Sequence, residues 1–199
     1  MVADFLKSIM FATLSIKMKF LKSCYLLLFL ILSLAMAIPA YAKIYYSKQE
    51  AMELAFGSEA TVEMMSLFLT DSDVEKIQQL ARVKVDSALF TFYVGKKAGE
   101  LIGYAAIETH KVRTKPETLL IVLNAQGQLT QVQTLAFHEP PEYQPSQRWY
   151  AQMFNLPLED ISFRAKIQGI SGATLSSRSA IDSVRKVLAV YQTLKIRET

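Results

Sequence analysis

Cysteine is almost absent from this 199-residue sequence; the one present, Cys24, stands ahead of an apolar run near the N-terminus. The rest of the chain therefore has no disulfide, no thiolate metal ligand and no C-x-x-C-H haem attachment. Histidine is scarce too. His110 and His138 are the two in the chain, a poor set for a structural metal without cysteine partners, so no metal is expected. No Ser-His-Asp signature is recognisable, so hydrolysis is not expected and no catalytic residue is assigned. Low-complexity tracts and internal repeats are missing as well. The excess of one charge is small. The formal net charge is +4, and setting aside residues 1–42, with Lys7, Lys17, Lys19, Lys22 and Asp4, lowers it to +1. That balance excludes the electrostatic footprint of a nucleic-acid binder.

What is present begins with a biased N-terminus. Lys17, Lys19 and Lys22 precede an apolar run over 25–38, and Ala40-Tyr41-Ala42 follows. Charge, apolar run and A-x-A site in that order read as a secretory signal over residues 1–42. Met18 is an alternative start, because the residues before it add nothing to the signal. The competing reading is an uncleaved membrane anchor, although the run is shorter than the about 20 residues of a full span.

Residues 43–87 read as an N-terminal helical segment, and residues 88–199 as the main domain. Ser47 and Glu50 form a capping box that opens a helix through Phe56. Residues 61–69 are apolar at helical spacing. Asp71 or Ser72 then caps a helix over 73–82, with Val74, Ile77 and Leu80 on one side. Residues 89–94 and 101–109 are β-rich around a Gly95–Gly99 turn, and 118–123 and 129–137 flank Asn124-Ala125-Gln126-Gly127. These are two hairpins. Beyond Pro140, Pro141 and Pro145, Ser146 caps a short helix through Phe154 and 161–167 reads as a strand. Ser177 caps a last helix over 178–193, striped by Ile181, Val184, Val187, Leu188 and Tyr191. The expected class is α+β: an antiparallel sheet of two hairpins, flanking helices and a C-terminal amphipathic helix.

The segment Ile170-Ser171-Gly172-Ala173-Thr174-Leu175-Ser176-Ser177 packs hydroxyl and small residues between an apolar stretch and that helix. Gly172 and Ala173 leave the backbone open to close approach. A helix start just beyond Thr174 offers free N–H groups to an anion. A turn that merely caps the helix is the plainer account of the same residues.

The segment resembles the S-G-A-T attachment signature of the FMN-binding domain family, and the likeness extends over roughly residues 88–193. Gly99 to Tyr104 is similar to the family's glycine–tyrosine strand, and residues 123–133 to its strand–turn–strand. The relatives are exported flavin subunits of the Rnf electron-transfer complex and of the sodium-translocating NADH:quinone reductase, together with stand-alone domains. The resemblance implies FMN joined covalently to the Thr174 hydroxyl through a phosphoester. It also implies Ser171, Gly172, Ala173, Leu175, Ser176 and Ser177 around the cofactor. A separate flavin transferase using FAD and magnesium would make the bond. The product would be a redox carrier serving partner proteins of the membrane or periplasm, located in the periplasm or on the outer face of the bacterial inner membrane. The alternative is a non-redox envelope binding or scaffold module in which the S-G-A-T turn is only structural. Two departures stand out. Gln168 occupies the position three residues before the serine where relatives often carry aspartate. Pro140-Pro141-Glu142-Tyr143 replaces the Thr-Pro-Gly-Leu-Gly run of the complex subunits, so a stand-alone relative is the better match.

His138 and Glu139 end a strand where the family places a histidine and glutamate, and so are candidates for the flavin edge; solvated strand-end side chains are the plainer account. Trp149, Tyr150 and Phe154 have helical spacing, which favours core over ring stacking. Lys111, Arg113 and Lys115 form a small basic run that reads as a solvated loop. Arg178 in the first turn of a helix is unfavourable for its dipole, which makes an anionic neighbour attractive.

Overall fold

The computed structural model describes residues 43–44 and 46–194. The signal reading of residues 1–42, and Cys24 with it, lies outside them. Among the described residues, no helix is long and apolar enough to cross a membrane.

The element order is β1 (Lys43–Ile44), α1 (Lys48–Phe56), β2 (Thr61–Phe68), α2 (Asp71–Ala81), β3 (Leu89–Lys97), β4 (Glu100–Lys111), β5 (Pro116–Asn124), β6 (Leu129–Phe137), α3 (Gln147–Tyr150) and α4 (Thr174–Thr193). The strands form one antiparallel sheet in the order β1-β6-β5-β4-β3-β2. The α+β expectation and its two hairpins, β3–β4 and β5–β6, are present. The sheet also gains an edge strand on each side.

Pleat alternation divides the core. Phe92, Tyr104, Leu119, Ile121 and Val132 face α2, α3 and α4 in the larger cluster. Ala105, Leu120, Val122 and Leu135 face α1 in the smaller one. α4 is the main cover: Ala180, Val184, Val187, Ala189 and Val190 are fully buried along it. The capping box of Ser47 and Glu50 is formed, with Ser47 Oγ accepting from Glu50 N and Glu50 Oε2 from Ser47 N. α2 starts earlier than the sequence suggests, because Thr70 and Asp73 make the capping box there, not Asp71 or Ser72.

Three further local readings are corrected. Residues 61–69 are not a helix: β2 pairs with β3 from Thr61↔Lys96 to Phe68↔Leu89. As an edge strand it leaves Met64 and Phe68 exposed while Met65 and Leu67 turn toward the core. Apolar residues on both faces erase the two-residue period that marks a strand. Residues 161–167 alternate like a strand but turn back on themselves: Ser162 O accepts from both Ala165 N and Ile167 N at 3.1 Å. The turn buries Ile161 and Ile167 as two anchors. Finally, α4 begins at Thr174, so Ser177 lies inside the helix and not at its cap.

The β5–β6 turn ends at Gly127, whose φ is +77°, with the Tyr191 ring of α4 so close that an added Cβ would lie 1.9 Å from it. Gly127→Ala combines left-handed strain with overpacking against a buried ring. It is expected to cost about 2 kcal/mol in urea denaturation.

Candidate functional site

The 171–177 segment is built by one turn. Gly172 has φ +85°, a conformation that side chains resist, and it redirects the chain into α4. Ala173 occupies the cap position without a side-chain cap. The first-turn N–H groups therefore have no side-chain acceptor, and the helix dipole adds positive character there. Thr174, the first helical residue, is exposed. Its Oγ1 donates to Ile170 O at 3.3 Å, a long bond that a new substituent on the oxygen would displace at little cost. Ser171, Gly172 and Leu175 are exposed beside it; Ala173, Ser176 and Ser177 are buried. Ser177 Oγ donates to Ala173 O at 2.8 Å and Thr174 O at 3.3 Å. It fastens the first turn from within, the back-bonding that lets a serine sit inside a helix.

The loop leading into this turn is tied down by α3 and the turn that follows it. Trp149 Nε1 donates to Gln168 O at 2.7 Å, and Gln168 N donates to Gln152 Oε1 at 3.0 Å. Trp149 and Tyr150 are buried, so these aromatics serve the core and the loop anchor.

A cleft of about 50 Å³ lies beside the turn, with Gly172, Ala173 and Ser176 on one wall and Arg113, Glu139 and Tyr143 on the other. Glu139 thus joins the S-G-A-T residues. Its Oε1 accepts from Thr114 N at 2.6 Å, Lys115 N at 2.8 Å and Thr114 Oγ1 at 3.1 Å. The N–H of Thr114, then that of Lys115, holds this carboxyl below the usual range against the opposing effect of burial. His138 is half-buried and does not line the cleft; its Nδ1–H donates to Pro116 O at 3.1 Å.

Because Glu139 is depressed in the fold, its ionised form stabilises the 112–115 loop above the ordinary carboxyl value of 4.5. That contribution is lost as pH falls through the lowered folded value. Amide protection at Thr114 and Lys115 is expected to follow this window. Glu139→Gln should lower it on the order of tenfold at neutral pH and remove the acid dependence. Equal protection in wild type and variant would contradict the role.

Sequence reasoning missed a buried chain of polar groups under α4. Glu117 is fully buried. Its Oε1 accepts from Tyr150 OH at 3.2 Å, and its Oε2 meets His110 Nε2 at 3.1 Å. His110 Nδ1 meets Ser183 Oγ at 2.9 Å. A serine, histidine and glutamate in line invite a nucleophilic reading. Ser183 is only 5% exposed, however, and lines none of the three described clefts. The chain instead fastens α4 to β4, β5 and α3. A larger cleft of about 600 Å³, lined by Lys48, Met52, Met64 and Tyr93 among others, lies between α1 and strands β2 and β3 and contains none of the 171–177 residues.

Residues 114–189 match the family model described as FMN-binding domain. The match runs from the β4–β5 turn through β5, β6 and α3 into α4, and so contains the Thr174 turn and Glu139. No curated protein and no solved structure matches the chain.

Proposed function

The chain carries a domain of the FMN-binding family over residues 114–189, and from that premise we propose that it is an exported electron carrier whose FMN is esterified to Thr174. One observation carries the attachment residue: Thr174 presents an exposed hydroxyl on the first turn of an uncapped helix, next to the open backbone of Gly172. The residues fit the group. A Cβ added at Gly172 would meet nothing within 4 Å, so the approach is clear. The uncapped N–H groups of the first turn favour a phosphodiester anion. Arg113 lines the adjoining cleft together with Glu139. That cleft holds about 50 Å³, far below the roughly 300–1,000 Å³ of a small-ligand site. It can take an edge or a phosphate oxygen, and the ring system would lie outside it.

The attached flavin supplies one- and two-electron redox chemistry. The protein's part is to hold it. Thr174 Oγ bears the ester, Gly172 and Ala173 keep the backbone low beneath it, and Ser177 rigidifies the turn. Glu139 pins the facing loop. No side chain here acts as the base for attachment, which we assign to a separate transferase that uses FAD and magnesium and releases AMP. Export by the 1–42 segment would place the carrier in the periplasm or on the outer face of the inner membrane, beside its redox partners.

Intact-mass measurement of protein recovered from cells co-expressing a flavin transferase tests this reading. The expected result is one added FMN, with yellow fluorescence that survives denaturing electrophoresis. A bare polypeptide under those conditions would instead favour the scaffold reading, in which the turn is only structural.

A further inference from the structure

α4 carries more than the attachment turn. Thr174, Arg178, Ile181 and Arg185 recur at spacings of four, three and four, and so share one helical face. From Arg178 onward this face is the wall of a second cleft, about 570 Å³, closed on the other sides by the end of α2 and by the 158–164 turn. This volume lies within the range of small-ligand sites. Four arginines line it, Arg82, Arg164, Arg178 and Arg185, against the two carboxylates Glu159 and Asp182. Leu80, Phe163 and Ile181 supply apolar wall.

The positive charge is only partly compensated. Arg185 is 7% exposed, yet every acceptor its guanidinium meets is a neutral carbonyl: Ala81 O, Leu158 O, Ile161 O and Leu80 O, at 2.6–3.0 Å. A buried cation hydrogen-bonded only to carbonyls leaves net positive charge in the cleft floor, eased in part by the end of α2. Arg82 stands near enough to oppose the Arg185 charge, while Asp182 partly relieves it. Arg82, Arg164 and Arg178 are exposed; none of them makes an ion-pair contact with a described residue, although Arg178 lies near enough to Asp182 to favour its charged form. Arg82 is also fixed in place: it ends α2 in the left-handed conformation, φ +54°, with its N–H on Gln78 O. Guanidinium groups bind carboxylate and phosphate oxyanions through paired N–H donors.

We propose that this cleft is a binding site for a small dianion with an apolar body, bearing carboxylate or phosphate groups. The site goes beyond the flavin reading and does not depend on it, because Arg82 and Arg164 lie outside the attachment turn. If both hold, such a ligand lies along the same helical face as the flavin's anchor.

The test uses the full chain, with whatever flavin it carries, titrated with phthalate and with inorganic pyrophosphate and followed by amide chemical shifts. The expected result is saturable shifts at Arg82, Phe163, Arg178 and Ile181 for at least one probe. Tighter binding of phthalate assigns a carboxylate ligand, and tighter binding of pyrophosphate a phosphorylated one. Arg82→Gln with Arg164→Gln removes two exposed charges without touching the buried Arg185, and should weaken binding at least tenfold. Absence of saturation, or equal affinity in the double variant, overturns the proposal. So does a hexaglutamate peptide that binds at least tenfold more tightly than either small probe, since the cleft would then be a docking face for an acidic protein. Loss of flavin from a Thr174 variant, with these titrations unchanged, would separate the two sites.

Discussion

Thr174→Val is expected to abolish covalent flavin while leaving the fold in place. Valine matches threonine in shape and removes only the hydroxyl. In the fold that hydroxyl makes one exposed bond to Ile170 O at 3.3 Å, so its loss should cost about 0.5 kcal/mol. Thermal denaturation should therefore move by only a degree or two. The chemical effect is all-or-none, because no phosphoester can form without the oxygen. The mass spectrum should drop by one FMN, and fluorescence on a denaturing gel should disappear. Ser171→Ala should do much less, because Ser171 is exposed on the preceding turn and lies outside the uncapped first turn of α4. Thr174→Ser, which keeps a hydroxyl at the same place, should retain part of the modification. Flavin surviving denaturation in the valine variant would move the attachment to another residue and remove the basis for the carrier reading.

Why the 171–174 turn was readable in the sequence, and its supports were not, follows from range. The Ser171-Gly172-Ala173-Thr174 turn is local: a glycine at positive φ, an exposed hydroxyl and a helix start all lie within four residues. The hairpin around Gly127 and the Ser47–Glu50 capping box are local in the same sense. Even there, the helix boundary shifted by a turn, since Ser177 satisfies Ala173 O from inside the helix and not from its end. Glu139 was legible as a candidate from the family pattern. Its grip on Thr114 and Lys115, 25 and 24 residues away, was not. The Ser183–His110 contact spans 73 residues and has no periodicity to betray it. The edge strand β2 failed for another reason. Its identity comes from pairing with β3, while its exposed Met64 and Phe68 and half-buried Met65 and Leu67 mimic a helical spacing. Propensity and pattern carry little weight where pairing decides.

The longest of these unseen contacts leads to the largest expected loss of stability, from Arg185→Leu. The Arg185 guanidinium reaches 104 and 105 residues back to Ala81 O and Leu80 O, at the end of α2, and 24 and 27 residues back to Ile161 O and Leu158 O. One side chain thus collects carbonyls from two segments and sets a cation where the α2 dipole leaves negative character. Leucine would fill much of the volume but strand three of the four acceptors, since Leu158 O also accepts from Ile161 N at 3.3 Å. Stranding a buried acceptor costs about 1–3 kcal/mol each. The open cleft beside Arg185 lets water recover some of them, so the sum is an upper bound. The expected loss is about 3–5 kcal/mol, the lower part of that sum. In thermal denaturation this corresponds to a fall of roughly 6–20 °C. Arg185→Lys restores the charge but not the planar fork, and three ammonium donors cannot span four carbonyls drawn from two segments. It should recover less than half of the loss. Full recovery by lysine would show that charge at the end of α2, and not the four-way hydrogen bonding, joins α2, α4 and the 158–161 turn.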